Sequence, residues 1–178
     1  MEQNTDLKRL IIQEADKIEE DCTFSAKGHM NAAAIWRKVN YNLGISATIL
    51  MASSGSSASG FVISPEYAPM LAFLATIITA VLTFIKPEEK ANLHSKSGSK
   101  FNALKNDIRI FKDIDTVQMG DAKLLAERLK DFSSQRNKLN NESLSISYLA
   151  YRLAKRGIEK GEANYRADVG KKQDRHQY

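Results

Sequence analysis

Hydroxyl-bearing side chains recur at helical spacing within the two most apolar stretches of the chain. On a helix that turns 100° per residue, one sector of the second stretch collects Thr76, Thr79 and Thr83. The first stretch carries a polar stripe at comparable spacing, made of Asn42, Ser46, Ser53 and Ser57. Rows of uncharged hydroxyls can line a water-filled path once several copies assemble, or they can let helices pack closely in lipid. The sequence leaves both uses open.

Small residues lie beside these rows. A ridge on the first stretch consists of Gly44, Thr48 and Ala52, and Ala72 and Ala80 share the threonine side of the second stretch. In lipid no hydrophobic force drives helices together, so small residues that let backbones approach are typical of helix contacts. We therefore predict that these five positions serve close helix packing.

No convincing enzyme site is present in the sequence. The histidines, His29, His94 and His176, lack metal-ligand spacing, and the lone Cys22 allows no internal disulfide. The segment "SGSK" at 97–100 resembles a phosphate loop, but it lacks the full Gly-x4-Gly-Lys-Ser/Thr pattern. We expect no catalytic residues, no metal and no cofactor.

Charge placement sets the middle of the chain apart from its ends. Residues 39–85 contain no Lys, Arg or Asp, and Glu66 is their only charged side chain. A bilayer core needs about 20 apolar residues per helix, which predicts a transmembrane hairpin with spans at about 39–58 and 67–85. The first span is marginal because Ser, Asn and Gly dilute it. The alternative, a soluble hairpin of two buried helices, would require a large surrounding core.

Flanking charges predict the orientation of this hairpin. Arg37 and Lys38 precede the first span, Lys86 and Lys90 follow the second, and the connecting turn has no basic residue. The positive-inside rule then places both termini in the cytoplasm, at the bacterial inner (cell) membrane. Residues 86–178 carry 20 basic and 13 acidic side chains, which suits a face beside anionic lipid headgroups. Aromatic residues are not interleaved with the basic ones, so no nucleic-acid partner is expected.

The remaining segments have helical patterns, so the predicted fold is all-α: a transmembrane helical hairpin extended by a cytoplasmic bundle of long helices. The predicted parts are an N-terminal helix (1–38), the hairpin (39–85), a cytoplasmic helical region (86–168) and a disordered tail (169–178). An apolar stripe beyond the hairpin is formed by Phe101, Leu104, Ile108 and Phe111. It needs a partner surface, for which we predict a second copy of the chain, although a partner within the same chain is the alternative.

The layout resembles the SLATT domain family of two-transmembrane effectors in bacterial nucleotide second-messenger conflict systems. The segments that carry the resemblance are "FIKPEEKANLHSKSGSKFNALKNDIRIF" and "SISYLAYRLAKRGIEKGEANY". The shared features are the proline after the second span, His94, the Gly98–Phe101–Leu104 spacing, and Tyr151–Ala154 followed by Ile158 and Gly161. The resemblance covers nearly the whole chain, and the order of the elements carries most of its weight.

The resemblance implies a homo-oligomeric effector that forms a pore or perturbs the membrane in anti-phage defence, by abortive infection. No sensor domain is visible, so the signal is expected from a sensor protein or a nucleotide second messenger that a neighbouring gene product supplies. The alternative function is a membrane-anchored helical scaffold or adaptor whose hairpin only tethers it.

Overall fold

The computed structural model describes residues 2–60 and 64–163, with side chains from residue 4 onward. About 90 % of the described chain is helical and it contains no strand, so the prediction of an all-α fold is confirmed. The predicted disordered tail (169–178) lies outside the described residues.

Helices of very different length make up the fold. Six α-helices are formed by Glu2–Ala58 (α1), Ala68–Ile85 (α2), Pro87–Ile110 (α3), Thr116–Gln118 (α4), Ala122–Glu142 (α5) and Tyr148–Glu159 (α6). A 3-10 turn, Pro65–Tyr67, precedes α2, and a π-helical turn, Phe111–Asp115, joins α3 to α4. Helix α1 continues through Gly28 without a break.

Local signals explain where the helices end. Lys86 alone separates α2 from α3; it adopts the left-handed conformation (φ 49°), and Pro87 then opens α3, where proline costs no hydrogen bond. Ser147 caps α6, because its Oγ accepts a hydrogen bond from the Ala150 N–H at 3.3 Å. Ser143 ends α5 and donates its N–H to the Leu139 carbonyl.

The chain divides into two compact units. Within the described residues, the core unit is drawn from residues 2–32 and 94–163, and the apolar unit from residues 33–60 and 64–93. Helix α1 contributes its first half to the core unit and its second half to the apolar unit.

The core unit buries the apolar stripes of three helices against one another. Its hydrophobic cluster contains Ile11, Ala15, Ile18, Cys22 and Ala26 of α1, Phe101, Leu104 and Ile108 of α3, Phe111, and Leu125 and Phe132 of α5. The positions on α1 repeat every three or four residues, so they form one stripe. Phe111 and Phe132 meet edge to face with ring centroids 5.3 Å apart. Burial raises the pKa of the Cys22 thiol to about 12, which makes it an inert core residue.

Candidate functional surfaces

The apolar unit leaves helix α2 largely uncovered. The helical stretch that includes α2 holds an 18-residue window with a mean hydropathy of 2.2, of which 6 % is buried. Ala75 is the buried residue of α2, whereas Phe73, Leu74, Ile77, Phe84 and other large side chains are exposed. By length and composition this is the one helix in the described residues able to cross a membrane. The predicted first span, which lies within α1, does not reach the mean hydropathy of this window.

Hydrogen bonds join α1 to the residues on either side of α2. Near the turn, Ser54 Oγ donates to the Ala68 carbonyl at 2.8 Å, and Ser57 Oγ donates to the Ser64 carbonyl. Far from the turn, Asn40 Nδ2 donates to Glu88 Oε2 at 3.2 Å. Small side chains occupy the buried positions between these ends, among them Ala47 and Ala75. The contact therefore depends on small residues and on serine hydroxyls that are bonded to backbone carbonyls.

The hydroxyls of the threonine row of α2 are bonded within their own helix. Thr76, Thr79 and Thr83 are exposed, and each hydroxyl donates to the carbonyl four residues earlier at 2.8 or 2.9 Å. A hydroxyl bonded in this way has its proton paired within its own helix and keeps two acceptor lone pairs for water or another helix. The row is thus an open surface of the chain.

The other predicted hairpin positions divide between two environments. Ser57 is buried and Ser53 is half-buried, but Asn42 and Ser46 are exposed, so the predicted polar stripe is not one surface.

The predicted close-packing ridge is likewise not used within the chain. Thr48, Ala52 and Ala80 are exposed, Ala72 is half-buried, and a Cβ built on Gly44 meets no atom within 4 Å. The small residues that are buried inside the unit, Ala47 and Ala75, were not among the predicted ones.

The predicted self-association stripe is covered by the chain itself. Phe101, Leu104, Ile108 and Phe111 are at most 3 % exposed and belong to the hydrophobic cluster of the core unit. Their partners are α1 and α5, so the alternative of a partner surface within the same chain describes this conformation. A second copy has no access to these side chains while the core unit stays folded.

A buried histidine pair is the feature of the core unit that sequence reasoning missed. His29 on α1 and His94 on α3 are 2 % and 3 % exposed, and their Nδ1 atoms lie 2.9 Å apart. One ring must donate the Nδ1 proton and the other must accept it, so the two rings cannot both be protonated while this contact is kept. Burial lowers the pKa of His29 to about 4, with a further contribution from His94, and burial also lowers the pKa of His94.

The histidine pair packs inside the core unit beside an aromatic ring. Within the described residues no group of three or more His, Cys, Asp or Glu side chains is placed to hold a metal ion. His29 also stacks on Phe101 with ring centroids 5.6 Å apart. No sequence pattern could have paired residues 65 positions apart, although the resemblance singled out His94.

Comparison of the chain with family models, with curated proteins and with solved structures gave no match.

Proposed function

We propose that the apolar unit is embedded in a lipid bilayer, with α2 as one span and the second half of α1 as its partner. The observation that carries the proposal is that α2 is strongly apolar and that only 6 % of its apolar window is buried. A core helix of a water-soluble protein would be mostly covered, because exposed apolar surface costs about 25 cal/mol per Å² in water. Lipid would remove that cost without any further protein.

The partner span is more polar, and its hydrogen bonds support a place in lipid. Ser54 and Ser57 donate to backbone carbonyls, and Thr48 Oγ1 donates to the Gly44 carbonyl at 2.9 Å. A hydroxyl that is already paired costs less in hydrocarbon than one that water must satisfy. The absence of charged side chains between residues 39 and 58 supports the same placement.

The proposed orientation places both termini in the cytoplasm and the turn outside. Its support is that Arg37, Lys38, Lys86 and Lys90 flank a stretch without basic residues. Reporters that are active only outside the cytoplasm should be silent at either terminus and active when inserted after Ser59. The opposite pattern would contradict this topology.

Within the membrane, we propose that several copies assemble and form a pore or perturb the inner membrane in anti-phage defence. The support is the family resemblance together with the exposed threonine row and the small residues Thr48, Ala52 and Ala80, which are exposed in the chain. A single hairpin cannot enclose a path for water, so this function requires homo-oligomerisation. The trigger would come from a sensor protein or a nucleotide second messenger.

A tethered scaffold remains the second candidate, and two observations favour it. The threonine hydroxyls are bonded within their own helix. The apolar stripe from Phe101 to Phe111 is buried in the core unit. In a scaffold the hairpin would only anchor the core unit, and expression would leave the membrane potential unchanged.

Substitutions of Thr79 distinguish the two functions. Thr79→Val removes the hydroxyl and keeps the shape of the side chain, and Thr79→Leu adds bulk to an exposed position. If the row lines a pore, both variants should reduce dye entry and membrane depolarisation in expressing bacteria, with unchanged protein level and detergent-stable mass. The matched control is Ile77→Leu, on an exposed position of the same helix outside the threonine row.

The outcomes separate three readings of the row. Full activity of a well-expressed Thr79→Leu would remove this threonine from the mechanism. Lost activity with lost mass would assign the row to packing between copies, because the position is open within one chain. A wild-type protein that affects neither dye entry nor potential when it is induced to oligomerise would favour the scaffold.

A further inference from the structure

A groove of about 500 Å³ lies on the core unit, lined by residues of α3, of the π-helical turn and of α5. Its apolar lining consists of Ile110, Leu124 and Phe132. Phe132 is buried in the hydrophobic cluster, but Ile110 and Leu124 are exposed. Large apolar side chains that stay exposed together are typical of a surface that contacts another protein.

The polar lining of this groove has an acidic excess. It contains four carboxylates and one guanidinium, which belong to Asp107, Asp115, Glu127, Asp131 and Arg128. Arg128 Nη2 lies 3.7 Å from Asp115 Oδ2 and offsets that carboxylate. Asp131 accepts a hydrogen bond from the uncharged Gln135 amide at 2.9 Å, so it keeps its charge. We call this apolar groove with its carboxylates the acidic groove; its charge favours a cationic partner.

Helix α6 leaves its large apolar side chains exposed. Its small residues Ala150, Ala154 and Gly157 are buried, so the helix packs on the core unit through small side chains. Tyr148 and Leu149 are 74 % and 57 % exposed. An amphipathic helix with no other partner is expected to bury its large apolar side chains and expose its small ones. The reverse arrangement in α6 indicates a second surface of contact.

Two arginines lie on the exposed side of α6. Arg152 and Arg156 follow Tyr148 by one and two helical turns, and both are exposed. Arg152 Cζ lies 5.6 Å from the centre of the Tyr148 ring. Stacking uses the flat face of a guanidinium and leaves the N–H groups on its edge available to a carboxylate. We call Tyr148, Leu149, Arg152 and Arg156 the arginine face. The exposed Lys155 has no part in it, because Glu159 lies 3.9 Å away and offsets its charge.

We propose that the arginine face of one copy docks in the acidic groove of a second copy. Its tyrosine and leucine would cover the apolar lining, and its arginines would pair with Glu127 and Asp131. The spacing of the charges supports this pairing. Arg152 and Arg156 are four residues apart on α6, and Glu127 and Asp131 are four residues apart on α5, so two helices lying side by side can form both ion pairs at once.

This contact joins two different surfaces, so it is a head-to-tail contact between copies. Repeated head-to-tail contacts produce a ring where the rotation closes, and a ring is the assembly that a pore requires. The inference therefore deepens the proposed membrane function and rests on its homo-oligomerisation. Two exposed ion pairs and a few apolar side chains make a weak contact by themselves. Confinement to one membrane would strengthen it by raising the local concentration of copies.

The first test is a disulfide between two differently tagged copies of the full chain in bacterial membranes. One copy carries Leu124→Cys in the acidic groove and the other carries Leu149→Cys on the arginine face. Under mild oxidation these two copies should be joined by a disulfide, because the two positions would meet across the contact. The native Cys22 is buried and does not compete. Copies that all carry Leu124→Cys, or all carry Leu149→Cys, should give little disulfide.

Charge reversal in the same pair of copies tests the ion pairs. Glu127→Lys with Asp131→Lys in the groove copy should lower the disulfide yield about tenfold, because like charges then face each other. Arg152→Glu with Arg156→Glu in the other copy should lower it to the same extent. Both reversals together should restore the yield, which also shows that each variant folds.

The matched control is Glu20→Lys with Asp113→Lys in the groove copy. These carboxylates are exposed and lie outside the groove lining, so reversing them should leave the yield unchanged.

Three outcomes would overturn the proposal: no disulfide between the two copies, yields that the paired reversals do not restore, or a strong disulfide between copies that both carry Leu149→Cys. The last result would mean that α6 meets α6 of the second copy. Dye entry into the same cells separates the contact from the pore. Dye entry without the disulfide would leave the pore standing and reject this contact. The disulfide without dye entry would support the contact and favour the scaffold.

Discussion

In the core unit, Phe101 and Phe111 are fully covered by neighbouring helices, whereas in the apolar unit Phe73 and Phe84 are 66 % and 86 % exposed. The apolar unit buries small residues instead, among them Ala47 and Ala75. Phenylalanine side chains are therefore covered by protein in the core unit and exposed in the apolar unit. The core unit covers the rings of its hydrophobic cluster by itself, whereas the apolar unit leaves Phe73 and Phe84 exposed.

The two units also differ in their polar contacts, which are mainly ion pairs in one and hydroxyl-to-backbone hydrogen bonds in the other. In the core unit, charged side chains link distant segments, as where Lys112 reaches Asp16 and Glu19 and where Arg136 reaches Asp21 at 2.9 Å. In the apolar unit, hydroxyls donate to backbone carbonyls, and Asn40, Glu88 and Lys90 belong to its charged and polar flanks. Charged side chains beside water keep their hydration and have little free-energy cost. Hydroxyls that are hydrogen-bonded to the backbone are tolerated in hydrocarbon.

The largest expected effect comes from removing one phenylalanine from each unit. Phe111→Ala should lower the free energy of unfolding by about 3–5 kcal/mol, because it leaves a cavity beside Phe132. Phe73→Ala should leave the stability in detergent nearly unchanged, because the ring is mostly exposed within the chain. Urea unfolding followed by circular dichroism checks both values. Equal losses would contradict the contrast between the units and indicate that Phe73 is buried by another copy.

A smaller effect is expected from acid in the core unit. Both histidine pKa values are depressed, so the unfolded chain binds more protons between pH 6.5 and about 4. The contribution of the pair is fully present above pH 6.5 and is lost as the pH falls towards 4, at a cost of about 2–3 kcal/mol. Unfolding free energies measured across this range check the prediction.

The matched control for the acid effect is the double variant His29→Gln, His94→Gln, which keeps polar side chains and removes both titrating rings. Its stability should change less across the same pH range, because the two buried rings that take up protons on unfolding are gone. Identical pH profiles for the wild type and the double variant would refute the role of the pair.

The smallest of the three effects concerns an ion pair that ties α1 to the π-helical turn. Burial would lower the pKa of Lys112, but hydrogen bonds and charge from Asp16 and Glu19 outweigh it and raise the pKa. Lys112→Met should cost about 1–2 kcal/mol, because two carboxylates lose a shared cation. Lys17→Met removes an exposed lysine paired with Glu14 and should leave the unfolding midpoint unchanged. A similar loss in both variants would contradict the distinction.

The sequence alone was enough to predict the helices and to identify residues 39–85 as an apolar segment with a single charged side chain. Periodic apolar positions such as Phe101, Leu104 and Ile108 predict a helix because a side chain returns to the same face every three or four residues. Residues 39–85 stand out because Glu66 is their only charged side chain, and moving a charged side chain into hydrocarbon costs free energy. Both signals are local, so they can be read without knowing any neighbour.

The partners of these faces were decided only by the tertiary structure. The stripe beginning at Phe101 packs with residues of α1 and α5, and the threonines of α2 stay exposed beside the buried Ala75. His29 meets His94, and Lys27 meets Glu162 across 135 positions. A periodic pattern indicates that one face of a helix must be covered. The packing of all side chains together sets how whole helices rotate and pair, and this selects the residue that covers the face.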